Sequence, residues 1–132
     1  MNVFFLRLFV GIFIFTFHGY PKLANFNEII SKFPDPLGWG GELSFLLVTF
    51  AESACSILLI SGTFFRLACI PLLFAMYVIT FIFHGNDPIS YAETPLLYFI
   101  IFLFLFLNGP GKYALRFNFN MVKNNTLRWL LG

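Results

Sequence analysis

The sequence has very few charged residues. They make up only 11% of its 132 residues, whereas 59% are hydrophobic and 21 are phenylalanine. A soluble domain of this size could not bury that much apolar surface, so composition excludes one and predicts that the solvent is lipid. A chain of this length leaves no room for a second domain, and we predict a single one.

Cysteine is also scarce, and basic residues form no cluster. Cys55 and Cys69 both lie in apolar runs without a CxxC spacing, which favours small packing residues over a disulfide framework. The eight basic residues are scattered along the chain, so no nucleic-acid-binding surface is expected. No nucleophile, haem-ligand pair, cluster-ligand set or flavin loop is recognisable either.

Four long apolar runs dominate what is present. A helix needs about 20 residues to cross the hydrocarbon core, and these runs predict spans at about residues 2–18, 43–60, 64–83 and 93–107. The predicted fold is an all-α integral membrane four-helix bundle, one transmembrane domain over residues 1–132. Residues 108–132 mix Trp, Phe and Leu with basic residues, which predicts a tail at the membrane surface.

Lys and Arg are distributed unequally between the two ends of these spans. Lys22 and Lys32 fall on one side together with most of the carboxylates. Six basic residues fall on the other side: Arg7, Arg66, Lys112, Arg116, Lys123 and Arg128. Because cytoplasmic loops are enriched in Lys and Arg, both termini should be cytoplasmic.

Polar residues recur along one face of three predicted spans. At about 100° per residue, Arg7 and His18 share a face of span 1, and Arg66 and His84 share a face of span 3. Span 2 places Thr49, Glu52, Cys55 and Ser56 together. Such faces should turn inward, because lipid cannot solvate them.

Glu52 is the most informative of these residues. It lies roughly 13 Å from either end of its predicted span, too far for a carboxylate to reach water at the surface. It must be protonated, paired with a cation, or open to a water-filled cavity. Arg7 is the predicted partner. Two readings stay open: a buried ion pair that only fixes helix packing, or a Glu52 that relays protons or binds a polar head group.

Two apolar runs end on the same motif, FTFHG at residues 15–19 and FIFHG at residues 81–85. The simpler interpretation is a helix C-terminus, with glycine in the left-handed conformation and histidine beside the negative end of the dipole. Alternatively, His18 and His84 join Glu93 in an outward-facing site. That site could hold a metal ion, or donate hydrogen bonds to the carbonyl oxygens of a quinone.

An ordered set of motifs runs along nearly the whole chain. The set is LRLFVG (6–11), HGYPKL (18–23), PDPLG (34–38), AESACSILLISG (51–62), FFR (64–66), His84, Glu93 and GPGKYAL (109–115). With this set the sequence resembles the DoxX family of small bacterial membrane proteins. The family-like motif residues are Arg7, His18, Lys22, Glu52, Arg66, His84 and Glu93. The sequence departs at its C-terminal motif, where Ala114 and Arg116 replace the usual Ser and Asp.

The resemblance implies a four-helix bundle in the bacterial inner membrane and an association with quinone-linked redox chemistry. On this hypothesis the protein is an accessory subunit in which Glu52 handles protons and Arg7 balances its charge. His18, His84 and Arg66, with Glu93, would contact a quinone or another polar ligand. The alternative is a non-catalytic structural or assembly subunit of a larger membrane complex, and small-molecule transport is a third option. The partners expected besides the lipid bilayer are other membrane redox subunits or further copies of the same chain.

Overall fold

The computed structural model describes residues 2–115 and 121–132, so Arg116 lies outside the described residues. The described chain forms helices and connecting segments, with no strand in these ranges. The helices are α1 (Val3–Ala24), α2 (Phe26–Ile30), α3 (Gly41–Ser61), α4 (Phe65–Phe83), α5 (Ile89–Asn108) and α6 (Asn125–Leu131).

Four of these helices, α1, α3, α4 and α5, are long and apolar enough to cross a membrane. This confirms the all-α fold class with four helices able to span a membrane, although the first of them runs to Ala24 and not to residue 18 as predicted. Many large apolar side chains on their outer faces are exposed, among them Phe5, Phe9 and Ile100. A bilayer covers such surfaces in a membrane protein, because the acyl chains are themselves apolar.

The core lies where the four long helices meet. Ile14 of α1, Leu59 of α3, Leu72 of α4 and Phe102 of α5 are fully buried in one cluster. Cys55 and Cys69 are free thiols within it, as expected for small packing residues.

Three of the spanning helices contain a π-helical turn. These turns occupy Phe15–Gly19 of α1, Ala51–Cys55 of α3 and Val78–Phe83 of α4. A π turn inserts one extra residue into the helical repeat, so it rotates the residues that follow it onto a different face. Face assignments based on a uniform 100° per residue therefore fail beyond each turn.

The helix-stop interpretation of the first His-Gly pair is wrong. Gly19 has φ −72°, in the right-handed helical region, and the helix continues through Pro21 to Ala24. Gly19 is needed for another reason: a methyl group on its Cα would collide with the backbone carbonyl of Glu52. At the second pair α4 does end, at Phe83, but Gly85 is not among the residues with positive φ.

Candidate functional site

A cavity of about 650 Å³ lies between α1, α3, α4 and α5, beneath the segment that joins α2 to α3. Its walls are largely apolar and aromatic. Two histidines, one lysine and one glutamate are among the side chains that line it: His18, Lys22, Glu52 and His84. Large apolar cavities with a few convergent polar groups are the usual form of a small-molecule site.

Glu52 is paired inside this cavity, but not with the predicted partner. The Nζ atom of Lys22 lies 2.5 Å from Oε2 of Glu52 and 3.3 Å from the carbonyl oxygen of His18. The side chain of Glu52 is 2% exposed and that of Lys22 is 17% exposed. The predicted Arg7–Glu52 pair is therefore wrong, because α1 continues beyond His18 and brings Lys22 across the cavity.

Arg7 instead binds backbone carbonyls at the C-terminal end of α3. Its Nη1 donates to the carbonyl oxygens of Leu59 (3.2 Å) and Ile60, and its Nη2 donates to that of Tyr113 (2.8 Å). Leu59 and Ile60 are about two helical turns from Glu52, roughly 11 Å along the axis. Arg7 thus satisfies carbonyls at a helix C-terminus, where a cation also complements the dipole.

Arg66 likewise lies away from the cavity. Its Nε donates to the carbonyl oxygen of Phe106 (3.1 Å) and its Nη1 to that of Trp129 (3.0 Å). The guanidinium also lies 4.1 Å from the centre of a Trp129 ring, a favourable cation–π geometry. Arg66 therefore fixes α6 against the bundle and does not contact the proposed ligand site.

His18 and Tyr98 form a second polar element of the cavity wall. Their rings meet edge to face, with centroids 5.8 Å apart, and both residues line the cavity. Sequence analysis missed Tyr98, because α5 showed almost no polar pattern. A tyrosine within the apolar run that follows Pro95 was the available signal, since a buried hydroxyl usually needs a partner.

Two of the π turns each contain one ionisable side chain of the cavity, and the third directly precedes another. His18 lies in the turn of α1, Glu52 lies in the turn of α3, and His84 directly follows the turn of α4. π turns occur frequently at functional sites, where they redirect individual side chains. Here the three side chains at these turns all line the cavity.

The segment before α3 covers the cavity. Trp39 stacks on Phe74 of α4, with ring centroids 6.3 Å apart and planes inclined by 15°. The carboxylate of Asp35 accepts hydrogen bonds from the backbone N–H groups of Trp39 (2.9 Å) and Gly40 (3.0 Å). Gly40 has φ 101°, a conformation that other residues rarely adopt. This turn holds Trp39 over the cavity.

His84 joins the main cavity to a smaller one of about 240 Å³, since it lines both. Its Nδ1 lies 2.9 Å from Oδ2 of Asp87, and its ring stacks on Tyr91. The smaller cavity is also lined by Thr80, whose buried hydroxyl has no hydrogen-bond partner. Asp87, not Glu93, is therefore the carboxylate beside His84.

Glu93 is exposed and lines neither cavity. Both histidines of the predicted site therefore line one cavity, but Glu93 is not part of it. Within residues 2–115 and 121–132, no group of three or more His, Cys, Asp and Glu side chains could hold a metal ion. The alternative of a metal site formed with Glu93 is not supported by this geometry.

Comparison with known proteins gives one match. The DoxX family model matches residues 2–85, a range that contains His18, Lys22, Glu52 and His84 but neither Glu93 nor the GPGKYAL motif. Searches of curated proteins and of solved structures found no match. Since the matched range covers more than half of the chain, the protein belongs to the DoxX family.

Proposed function

We propose that the protein binds a quinone in the 650 Å³ cavity and serves as an accessory subunit of a quinone-linked redox system in the bacterial inner membrane. The observation that carries the proposal is the composition of the cavity. Apolar and aromatic walls suit a planar hydrophobic ring, and a few ionisable side chains line the same cavity, where they can serve carbonyl oxygens as partners.

The residues present fit such a head group. The Lys22 ammonium can donate to a quinone oxygen without leaving Glu52, because an ammonium has three donors. His18 and His84 can each donate or accept, depending on which ring nitrogen is protonated. A quinone supplies two-electron, two-proton chemistry when bound, and the role of these side chains is to orient its oxygens.

Glu52 is the group best placed to handle a proton in this cavity. Its side chain is almost fully buried, and Lys22 is within ion-pair distance. A hydroxyl of the reduced ligand could donate to the carboxylate, which accepts through both oxygens. Arg7, whose guanidinium is taken up by backbone carbonyls, has no part in this proposal.

Quenching of tryptophan fluorescence tests the proposal directly. The chain has two tryptophans; Trp39 lines the cavity and Trp129 contacts Arg66 near the other end of α4. In lipid nanodiscs, a quinone should quench the Trp129→Phe variant, which retains Trp39, in a saturable way. The Trp39→Phe variant should show only unsaturated, collisional quenching.

Matched carboxylate variants then test the polar side chains of the cavity. Glu52→Gln should weaken binding of the reduced ligand, the quinol, about tenfold or more, because the quinol hydroxyl loses a charge-assisted hydrogen bond to the carboxylate. Glu93→Gln should leave binding unchanged, because Glu93 lies outside the cavity. Folded protein without saturable quenching of Trp39 would contradict quinone binding and leave the assembly-subunit hypothesis.

A further inference from the structure

We infer that the cavity opens sideways into the bilayer and that its ligand is a molecule with a long isoprenoid or alkyl tail, which reaches the site from the lipid phase. This inference rests on the proposed function, because it concerns the ligand of the same cavity. It names the route of access and the residues that form it.

The opening is defined by residues that line the cavity and are also exposed. Leu47 and Phe50 of α3 are 43% and 54% exposed, and Phe74 of α4 is 45% exposed. At such positions a single layer of side chains separates the cavity from the exterior. We place the entrance at this thin part of the wall and call Leu47, Phe50 and Phe74 the rim of the lateral opening.

The depth of the lateral opening determines what lies outside it. Phe50 and Phe74 are both near the middle of helices that are long enough to span a membrane. The hydrocarbon core is about 30 Å thick, so the middle of a span lies about 15 Å from either surface. The medium at the lateral opening is therefore acyl chains, and a polar solute has no aqueous path to it from this side.

Trp39 of the segment before α3 packs beside this rim, since it stacks on Phe74, and the Asp35 carboxylate fixes the turn that carries it. A ligand that enters from lipid would pass the apolar rim with its ring first and meet Lys22 and Glu52 further in. Its tail would remain between α3 and α4, in contact with lipid.

The size of the cavity also favours a tail outside it. Pockets of about 300–1,000 Å³ hold drug-sized molecules, and a volume of about 650 Å³ suits a substituted ring with a short part of a chain. A prenyl chain of many units does not fit inside. It can be accommodated only if the cavity is open to the membrane.

Quinones that share one ring and differ in tail length test this inference in nanodiscs. With concentrations expressed per lipid, a long-tailed quinone should saturate Trp39 quenching at least as well as a tail-less one. If the tail-less quinone binds and the long-tailed one does not, the lateral opening is overturned. If neither binds, the proposed function fails instead, so the two failures are distinguishable.

Neighbouring leucines provide a matched pair of variants. Leu46 and Leu47 are similarly exposed, at 46% and 43%, but only Leu47 lines the cavity. Leu47→Phe should narrow the lateral opening and weaken binding of the long-tailed quinone about tenfold, and it should weaken binding of the tail-less quinone less. Leu46→Phe should affect neither, and equal effects of the two variants would overturn the inference.

A measurement without quinone examines the rim itself. In a Trp39→Phe, Trp129→Phe background, Phe50→Trp should be quenched by lipids brominated near the middle of their acyl chains. Phe9→Trp, on the outer face of α1 and well exposed, provides the lipid-facing reference. Quenching of the reference without quenching at position 50 would show that the rim does not face lipid.

Discussion

Lys22 and Glu52 form an ion pair across the cavity, with 2.5 Å between Nζ and Oε2. The two residues differ in their access to water, since Lys22 is partly exposed and Glu52 is not. Lys22 also retains the carbonyl of His18 as an acceptor when Glu52 is absent. Removal of Lys22 should therefore change the stability of the protein by a different amount than removal of Glu52.

We expect Lys22→Met to destabilise the protein more than Glu52→Gln does. Removal of one partner of a buried pair costs about 3–5 kcal/mol, because the other charge is left uncompensated. The full effect is expected for Lys22→Met, which isolates a buried carboxylate, and a smaller one for Glu52→Gln. Unfolding in mixed micelles measures both, and the double variant should recover most of the loss. Equal single-variant effects would contradict the asymmetry.

Gly19→Ala should separate α1 from α3. The added methyl group would meet the backbone of Glu52, which cannot move as a flexible side chain does. Overpacking of this kind costs about 1–3 kcal/mol, and the displacement should also weaken quinone binding. Thr16→Ala, an exposed position in the same π turn, is the control. A Gly19→Ala variant of unchanged stability would refute the close contact.

Arg7→Lys should lower stability without changing ligand affinity. A lysine cannot reproduce the fork that reaches Leu59, Ile60 and Tyr113 at once. Loss of two charge-assisted hydrogen bonds should cost on the order of 3 kcal/mol. Arg128→Lys, at an exposed position, should have little effect. A change in quinone affinity with unchanged stability would instead place Arg7 in the ligand site.

Asp87 should determine the tautomer of His84. A carboxylate 2.9 Å from Nδ1 favours a proton on that nitrogen and leaves Nε2 as an acceptor. Asp87→Asn should increase the population of the other tautomer. Because the chain has only two histidines, ¹⁵N-histidine NMR resolves each one, and His18 is the internal control. An unchanged His84 spectrum in the variant would argue against the pair.

Both termini should lie in the cytoplasm, as the distribution of Lys and Arg predicts. A cysteine at exposed Ser31 should react with a membrane-impermeant maleimide in intact cells. A cysteine at exposed Lys123 should react only after the cells are opened. The native cysteines are buried and give a low background. The reverse labelling pattern would invert the proposed orientation.

The four spans were predictable because hydropathy and length are local properties of the sequence. Burial of Glu52 followed from its position in a span, and this too needs no tertiary information. Its partner could not be found in the same way. Lys22 follows a His-Gly-Tyr-Pro sequence that indicates a helix end. Only the folded structure shows that the helix continues there and that Gly19 packs closely on the backbone of Glu52.

The cover of the cavity shows a second limit of sequence reasoning. The PDPLG motif indicates a turn, but which helix its neighbour Trp39 packs against depends on the tertiary structure. The pairing of Trp39 with Phe74 joins residues far apart in the chain. Tyr98 was missed for the same reason, since its contact with His18 exists only once α1 and α5 are assembled.

Arg7 donates a hydrogen bond to the carbonyl oxygen of Tyr113, and this contact bears on the insertion of the protein into the membrane during its synthesis. The first span of a membrane protein is synthesised and inserted early, and here it carries a buried arginine. One of its hydrogen-bond partners belongs to a segment translated after the fourth span. Until that segment leaves the ribosome, the first span holds a partly unsatisfied cation, a state that an insertion chaperone or the translocon must tolerate while the three later spans are made.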